Sequence, residues 1–148
     1  MTTTRLEIIE QLRAFFNVSE LVCHHTFARF GELSWQFFDT QTLQTLLVLR
    51  AEILRVPMVI NRGETTQRGL RCNLCELVKG QKKQYVSAHL MGKGFDVVST
   101  EMTAEEMRKK IVENADKLPV PIRLERDVSW LHFDTFDPTN SKNKITFF

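Results

Sequence analysis

Two short runs, residues 87–96 and 130–134, constrain this chain more than any other feature. The first run contains His89 and, seven residues later, Asp96, with two glycines between them. The second run places His132 on an apolar stretch that is typical of a strand. Two imidazoles and a carboxylate are the ligand set of an open zinc site, in which three side chains leave a fourth position free. We therefore expect the fold to bring these three residues together around Zn²⁺.

Composition favours one globular domain that spans residues 1–148, because 43% of the residues are hydrophobic and 26% are charged. A formal net charge of +2 is too small to indicate nucleic-acid binding. The sequence lacks an apolar run of about 18 residues, so we expect no membrane span. The N-terminal residues lack the apolar segment of a signal peptide, which predicts synthesis in the cytoplasm. Three cysteines, an odd number, argue against a disulfide framework.

The spacing of apolar residues and the positions of proline and glycine predict the order of the secondary-structure elements. In chain order we expect a helix over 4–15, a helix from 40 to before Pro57, a strand over 58–60, an irregular segment over 61–86, a strand over 95–99, a helix over 104–116 opened by a capping box at Thr103 and Glu106, strands over 122–125 and 130–135, and an edge strand over 144–148. This order indicates an α+β domain with a small, mostly antiparallel sheet and flanking helices.

Side-chain alternation along the strands predicts a candidate general base. Leu131 and Phe133 would point into the core, which leaves His132 on the opposite face of the sheet. If the preceding turn has two residues, Glu125 lies directly opposite His132, and a four-residue turn keeps it on the same face. A three-residue turn would move it to the other face. Glu125 is therefore our first candidate for the base that activates a zinc-bound water.

The spacing in residues 87–96 resembles the Ser-x-His-x-x-Gly-x-Ala-x-Asp motif of the zinc D-alanyl-D-alanine carboxypeptidase family. The matching residues are Ser87, His89, Gly92 and Asp96, with Gly94 where the family favours alanine. The family includes D,D-dipeptidases and phage L-alanyl-D-glutamate endolysins, and hedgehog signalling domains share its fold. Its second motif, Trp-x-His with a frequent x-Asp, is matched by Trp130, His132 and Asp134. Residues 16–23 are similar to the start of the phage-encoded branch.

The resemblance implies a hedgehog/DD-peptidase-like fold and a zinc metallopeptidase that hydrolyses the peptide stems of peptidoglycan, as a D,D-carboxypeptidase or an endolysin-type endopeptidase. It implies His89, Asp96 and His132 as the zinc ligands. It also implies an arginine that contacts the substrate's carboxylate or scissile carbonyl; Arg62 is the best match, with Arg68 and Arg71 in reserve. Among the residues of the site, Arg71, Ser87 and Trp130 would contact the substrate. We expect a monomer that acts at the cell wall, released by a phage or carried on a virion.

One departure from the family pattern leaves the catalytic base open. Several members carry an acid three residues before the second histidine, and here that position is Ser129, which cannot serve as a base. Either Glu125 acts from the facing strand, or Asp127 acts, or catalysis has been lost. The last alternative predicts a non-catalytic, hedgehog-like zinc module that serves as a virion or cell-envelope-binding component.

Cys72 and Cys75 form a Cys-x-x-Cys pair that the resemblance does not explain. A second, structural zinc would need four ligands, and the spare candidates are Cys23 with His24 or His25. A redox pair would need a βαβ context, which the sequence lacks. We interpret the cysteines as buried or loop residues without a metal, and keep the four-ligand zinc site as the alternative.

Overall fold

Among the described residues four short strands form one sheet; the first run of interest ends on this sheet and the second lies along it. The computed structural model describes residues 2–136 and 142–148. The strands are β1 (Gly94–Val97), β2 (Ile122–Leu124), β3 (Leu131–Asp134) and β4 (Ile145–Phe147). Their order is β1-β3-β2-β4; β3 pairs antiparallel with both neighbours, and β4 pairs parallel with β2. The predicted α+β class and the small, mostly antiparallel sheet are therefore confirmed.

Helical segments flank the sheet and supply much of the core. They are α1 (Arg5–Leu12), α2 (His24–Phe30), α3 (Thr40–Val48), α4 (Glu76–Lys79) and α5 (Ala104–Glu113), with 3-10 segments at Val18–Glu20, Gly31–Phe37 and Ala115–Lys117. A π-helical segment, Leu49–Leu54, continues α3 and ends at Arg55, which is left-handed. The predicted capping box of α5 is confirmed, because the Thr103 hydroxyl accepts from the Glu106 amide at 3.2 Å. None of the helices among the described residues is long and apolar enough to cross a membrane.

The strand register sets three polar residues in one row across the sheet. Asp96 on β1 pairs with His132 on β3, and Leu124 on β2 pairs with Phe133. The next residue, Glu125, donates its amide to the His132 carbonyl at 3.3 Å, which continues the same register. The predicted position of Glu125 opposite His132 is therefore confirmed. Phe133 is fully buried, as alternation requires.

An extended segment, residues 68–72, connects β1 with the N-terminal part of the chain. Its Leu70 exchanges backbone hydrogen bonds with Leu21 and Cys23, each 2.9 Å long, and the Arg68 carbonyl accepts from the Asp96 amide at 2.8 Å. A Cβ atom at Gly69 would lie only 1.9 Å from the Leu21 carbonyl oxygen, so this approach requires glycine. The segment expected as a strand over 58–60 makes a single bridge, between Val59 and Val98.

Gly94 also lies where no larger side chain fits without movement of its neighbours. A Cβ at this position would lie 2.8 Å from the Ala88 Cβ and 3.1 Å from the Asp134 Cβ. We expect Gly94→Ala to lower the free energy of unfolding by about 1–3 kcal/mol, because the packing around it must move. Urea unfolding measures the change. Gly80→Ala is the control, since nothing lies within 4 Å of a Cβ there; equal effects in both variants would refute the packing argument.

Candidate metal centres

The structure brings His89, Asp96 and His132 together as predicted. One ligand atom from each residue lies within 4.8 Å of the others, and all three residues are buried. Asp96 lies in the middle: one carboxylate oxygen is 2.7 Å from His132 Nδ1 and the other is 3.3 Å from His89 Nε2. Two ligand atoms of a tetrahedral zinc site are about 3.3 Å apart. A cation would therefore fit after the Asp96–His132 contact lengthens by a few tenths of an ångström.

Hydrogen bonds on the far side of each ring determine which nitrogen faces the centre. His89 Nδ1 lies 2.9 Å from the Gly69 carbonyl oxygen and donates to it, so Nε2 is the nitrogen that can bind a metal. His132 Nε2 lies 2.7 Å from a carboxylate oxygen of Asp134, so Nδ1 faces Asp96. Partners of this kind orient the histidines of zinc sites and raise their basicity.

Asp134 and Arg123 form a support for His132 that the sequence analysis did not assign to the site. Asp134 is fully buried and accepts two hydrogen bonds, each 2.8 Å long, from the Arg123 guanidinium. The guanidinium in turn lies over the Phe148 ring, 4.2 Å from its centre. The signal was present in the sequence: Asp134 follows His132 by two residues, and Arg123 precedes Glu125 by two, so all four share one face.

The pKa shifts follow from this network of charges. Burial alone would lower the pKa of His132, but the hydrogen bonds with Asp134 and Asp96 outweigh it and raise the pKa to about 9. Burial would raise the pKa of Asp96, and the hydrogen bonds with His132 and His89 instead hold it well below its usual range. At neutral pH and without a cation, the centre thus holds an ionised Asp96 carboxylate beside a protonated His132 ring, and a metal would have to displace the Nδ1 proton to bind there.

We expect Asp134→Asn to weaken zinc binding about 10- to 100-fold, because the amide supports His132 less well than a carboxylate does. Competition with a chromogenic chelator measures the affinity. Asp116→Asn, a change at an exposed position outside the centre, should leave the affinity unaltered. An Asp134→Asn variant that is folded and binds zinc as tightly as the wild type would contradict the supporting role.

The three residues open onto a cavity of about 350 Å³. Four further predicted site residues line it: Arg71, Ser87, Glu125 and Trp130. Glu125 is half-buried. The other two carboxylates of this cavity, Asp96 and Asp134, are hydrogen-bonded to His132. Among the described residues, the Glu125 carboxylate forms no hydrogen bond with a histidine or with an arginine side chain. Trp130 Nε1 is buried and has no hydrogen-bond partner among those residues. The cavity therefore combines three side chains that could hold a metal with the Glu125 carboxylate and with arginine side chains.

Two arginines line this cavity, Arg71 and Arg123, and Arg123 is already paired with Asp134. Arg71 Nη2 lies 3.6 Å from an Asp96 carboxylate oxygen, and its Nη1 donates to the Tyr85 hydroxyl at 3.1 Å. A second hydrogen bond, from Nε to the Gln67 carbonyl at 2.6 Å, holds the guanidinium in place. Its loose contact with Asp96 leaves a planar donor group that can pair with a carboxylate or a carbonyl oxygen.

Three residues that the sequence analysis considered lie elsewhere. Arg62, the best match by resemblance, is exposed and lines a different cavity, beside Glu20. The reason is local: Arg62 forms a tight bridge with Thr65, so the chain turns away before it reaches the triad. Asp127 lines another cavity, of about 540 Å³, and Ser129 is exposed.

A second candidate metal-binding site brings together Cys23, His25, Cys72 and Cys75. A four-ligand zinc site with Cys23 and either His24 or His25 was the alternative to cysteines without a metal, and the structure brings together the set that contains His25. All three thiols are free. Burial raises the pKa of the Cys75 thiol to about 12, so without a cation this sulfur stays protonated at neutral pH.

No protein-family model, curated protein or solved structure matches this chain. What the two centres can do must therefore be argued from the chemistry of their own residues.

Proposed function

We propose that this chain is a zinc-dependent peptidase of the hedgehog/DD-peptidase type that hydrolyses peptide stems of peptidoglycan. One observation carries the proposal: His89, Asp96 and His132 converge on a cavity that Glu125 and Arg71 also line. Three protein ligands with room for a fourth are typical of catalytic zinc, whereas structural zinc takes four. The motif resemblance in residues 87–96 and 130–134 supports the family and the substrate class.

Each residue has a distinct task in this proposal. When bound, Zn²⁺ lowers the pKa of a water molecule and polarises the scissile carbonyl. Glu125 accepts a proton from the attacking water and delivers it to the leaving amine. The Asp134 carboxylate keeps His132 in the tautomer whose Nδ1 faces the centre.

Arg71 would stabilise the negative charge that develops on the substrate. Its fork of N–H donors suits the carbonyl oxygen of the scissile bond or the terminal carboxylate of a stem peptide. The position of Arg71 beside Asp96 replaces the earlier expectation for Arg62. The cavity thus offers a cation, Arg71, for the substrate and a carboxylate, Glu125, for the proton.

We expect Arg71→Lys to lower kcat/KM roughly 10- to 150-fold, since one charge-assisted hydrogen bond contributes about 1.5–3 kcal/mol. Lysine keeps the charge and loses the planar fork. Steady-state kinetics on a synthetic stem peptide measures the loss. Arg62→Lys is the matched control and should match the wild type. If Arg62→Lys were the damaging change, the substrate arginine would be Arg62, as the resemblance alone suggested.

Digestion of purified peptidoglycan tests the function itself. The zinc-loaded chain should release stem-peptide fragments with new amino and carboxyl ends, which mass spectrometry identifies. A chelator should stop the release and added zinc should restore it. Hydrolysis that continues unchanged in the chelator would refute a zinc peptidase. A zinc-loaded chain that binds peptidoglycan without cleaving any stem bond would instead favour the non-catalytic module, the alternative that Ser129 suggests.

A further inference from the structure

The second cluster has the dimensions of a tetrahedral site. Cys72 Sγ lies 3.7 Å from His25 Nδ1 and 4.0 Å from Cys75 Sγ, and Cys75 Sγ lies 3.9 Å from His25 Nδ1. Cys23 completes the set, with all four ligand atoms within 4.8 Å of one another. In a tetrahedral zinc site two sulfurs are about 3.8 Å apart, and a sulfur and a nitrogen about 3.5 Å. The four donors thus surround a space of the right size before any ion enters.

Backbone amides already point at the sulfurs. The Leu74 amide donates to Cys72 Sγ and the Cys72 amide donates to Cys75 Sγ, both at 3.4 Å. Such N–H groups stabilise negative charge on sulfur, and a metal ligand is the thiolate rather than the thiol. Two neutral thiols that only packed against apolar neighbours would not need these N–H···S hydrogen bonds. The turn over residues 72–75 is therefore shaped to hold two thiolates.

The cluster offers four protein ligands where the triad offers three, and two of the four are fully buried while His25 and Cys72 are partly exposed. Cys23 is 0% exposed and Cys75 is 1% exposed. Three thiolates and one imidazole fill four positions, which leaves none for water or substrate. Closed sets of this composition bind structural zinc.

We propose that Cys23, His25, Cys72 and Cys75 bind a second, structural Zn²⁺ ion. Two ligands come from the start of α2 and two from the end of the segment at residues 68–72 and the turn after it. The ion would tie these parts together beside the two Leu70 backbone hydrogen bonds, which join the same segments. Arg71 directly precedes Cys72, so the same ion would fix the base of the arginine side chain. The site stands on its own geometry and does not depend on peptidase activity.

Zinc content and thiol modification test the proposal on the wild-type chain. The protein purified under reducing conditions should contain two zinc ions per chain. An organomercurial that modifies all three cysteines should release one of them, which a zinc indicator dye detects. His89→Ala keeps the cysteine cluster, so this variant should bind one zinc ion per chain. The organomercurial should release that ion completely. A wild-type chain that keeps both zinc ions after all three thiols are modified, or a His89→Ala chain that is folded but free of zinc, would overturn the second site.

A variant pair isolates the imidazole ligand. We expect His25→Ala to lose one equivalent of zinc and to lower the melting temperature by roughly 10 °C. Its neighbour His24 lies outside the cluster and is exposed, so His24→Ala should keep both ions. Cobalt substitution gives a second readout, because a thiolate-to-cobalt charge-transfer band should appear in the wild type and in His89→Ala. The absence of that band, or a Cys72–Cys75 disulfide in its place, would contradict the proposal.

Discussion

Glu125→Gln should lower the turnover number about 10²- to 10⁴-fold while the protein keeps its zinc, because the amide cannot accept a proton. Glu125 lies opposite His132 in the strand register and on the same cavity wall. Glutamine preserves the size and the backbone pairing, so the change removes the base and little else. Two quantities are measured on the same preparation: the turnover number on a synthetic stem peptide and the zinc content per chain.

Asp127→Asn is the matched control for this experiment. Asp127 was the other candidate base in the sequence, and the structure places it on a different cavity. The variant should retain the wild-type turnover number. A large loss in Asp127→Asn, with Glu125→Gln fully active, would reverse the assignment of the base.

His89→Ala should lose one equivalent of zinc and reduce hydrolysis by three or more powers of ten, which corresponds to several kcal/mol of transition-state stabilisation. The ring is buried, its Nδ1 is committed to the Gly69 carbonyl, and its Nε2 faces Asp96 at 3.3 Å. Removal therefore leaves two ligands at the triad, too few for a stable zinc site. Metal analysis after gel filtration and a peptide-release assay measure both losses.

His24→Ala serves as the control here as well, since it removes an exposed imidazole outside both centres. Circular dichroism shows whether each variant remains folded. A folded His89→Ala protein with unaltered zinc content and unaltered hydrolysis would show that His89 is not a ligand.

The facing positions of His132 and Glu125 could be predicted because strands impose a period of two. Once Leu131 and Phe133 are assigned to the core, His132 must lie on the other face, and the neighbouring strand brings Glu125 beside it. The structure has this register. Asp134 belongs to the same periodic pattern, but its hydrogen bond to His132 depends on side-chain geometry that a pattern does not contain.

The arginine and the cysteine cluster could not be predicted with the same certainty because both depend on contacts between distant segments. Residues 61–86 have no sustained periodicity, so nothing local distinguishes Arg71 from Arg62. The backbone pairing of Leu70 with Leu21 and Cys23 determines which arginine lies near the triad. That pairing carries Arg71 toward Asp96 and Cys72 toward His25, which lies 47 residues away in sequence.

Anomalous diffraction at the zinc absorption edge, from crystals of the zinc-loaded protein, tests most directly whether the triad is a metal centre. We expect a peak bound by His89 Nε2, an Asp96 carboxylate oxygen and His132 Nδ1, with the Glu125 carboxylate on the open side. A map with no peak there, in which Asp96 and His132 remain hydrogen-bonded to each other, would contradict the proposed zinc peptidase.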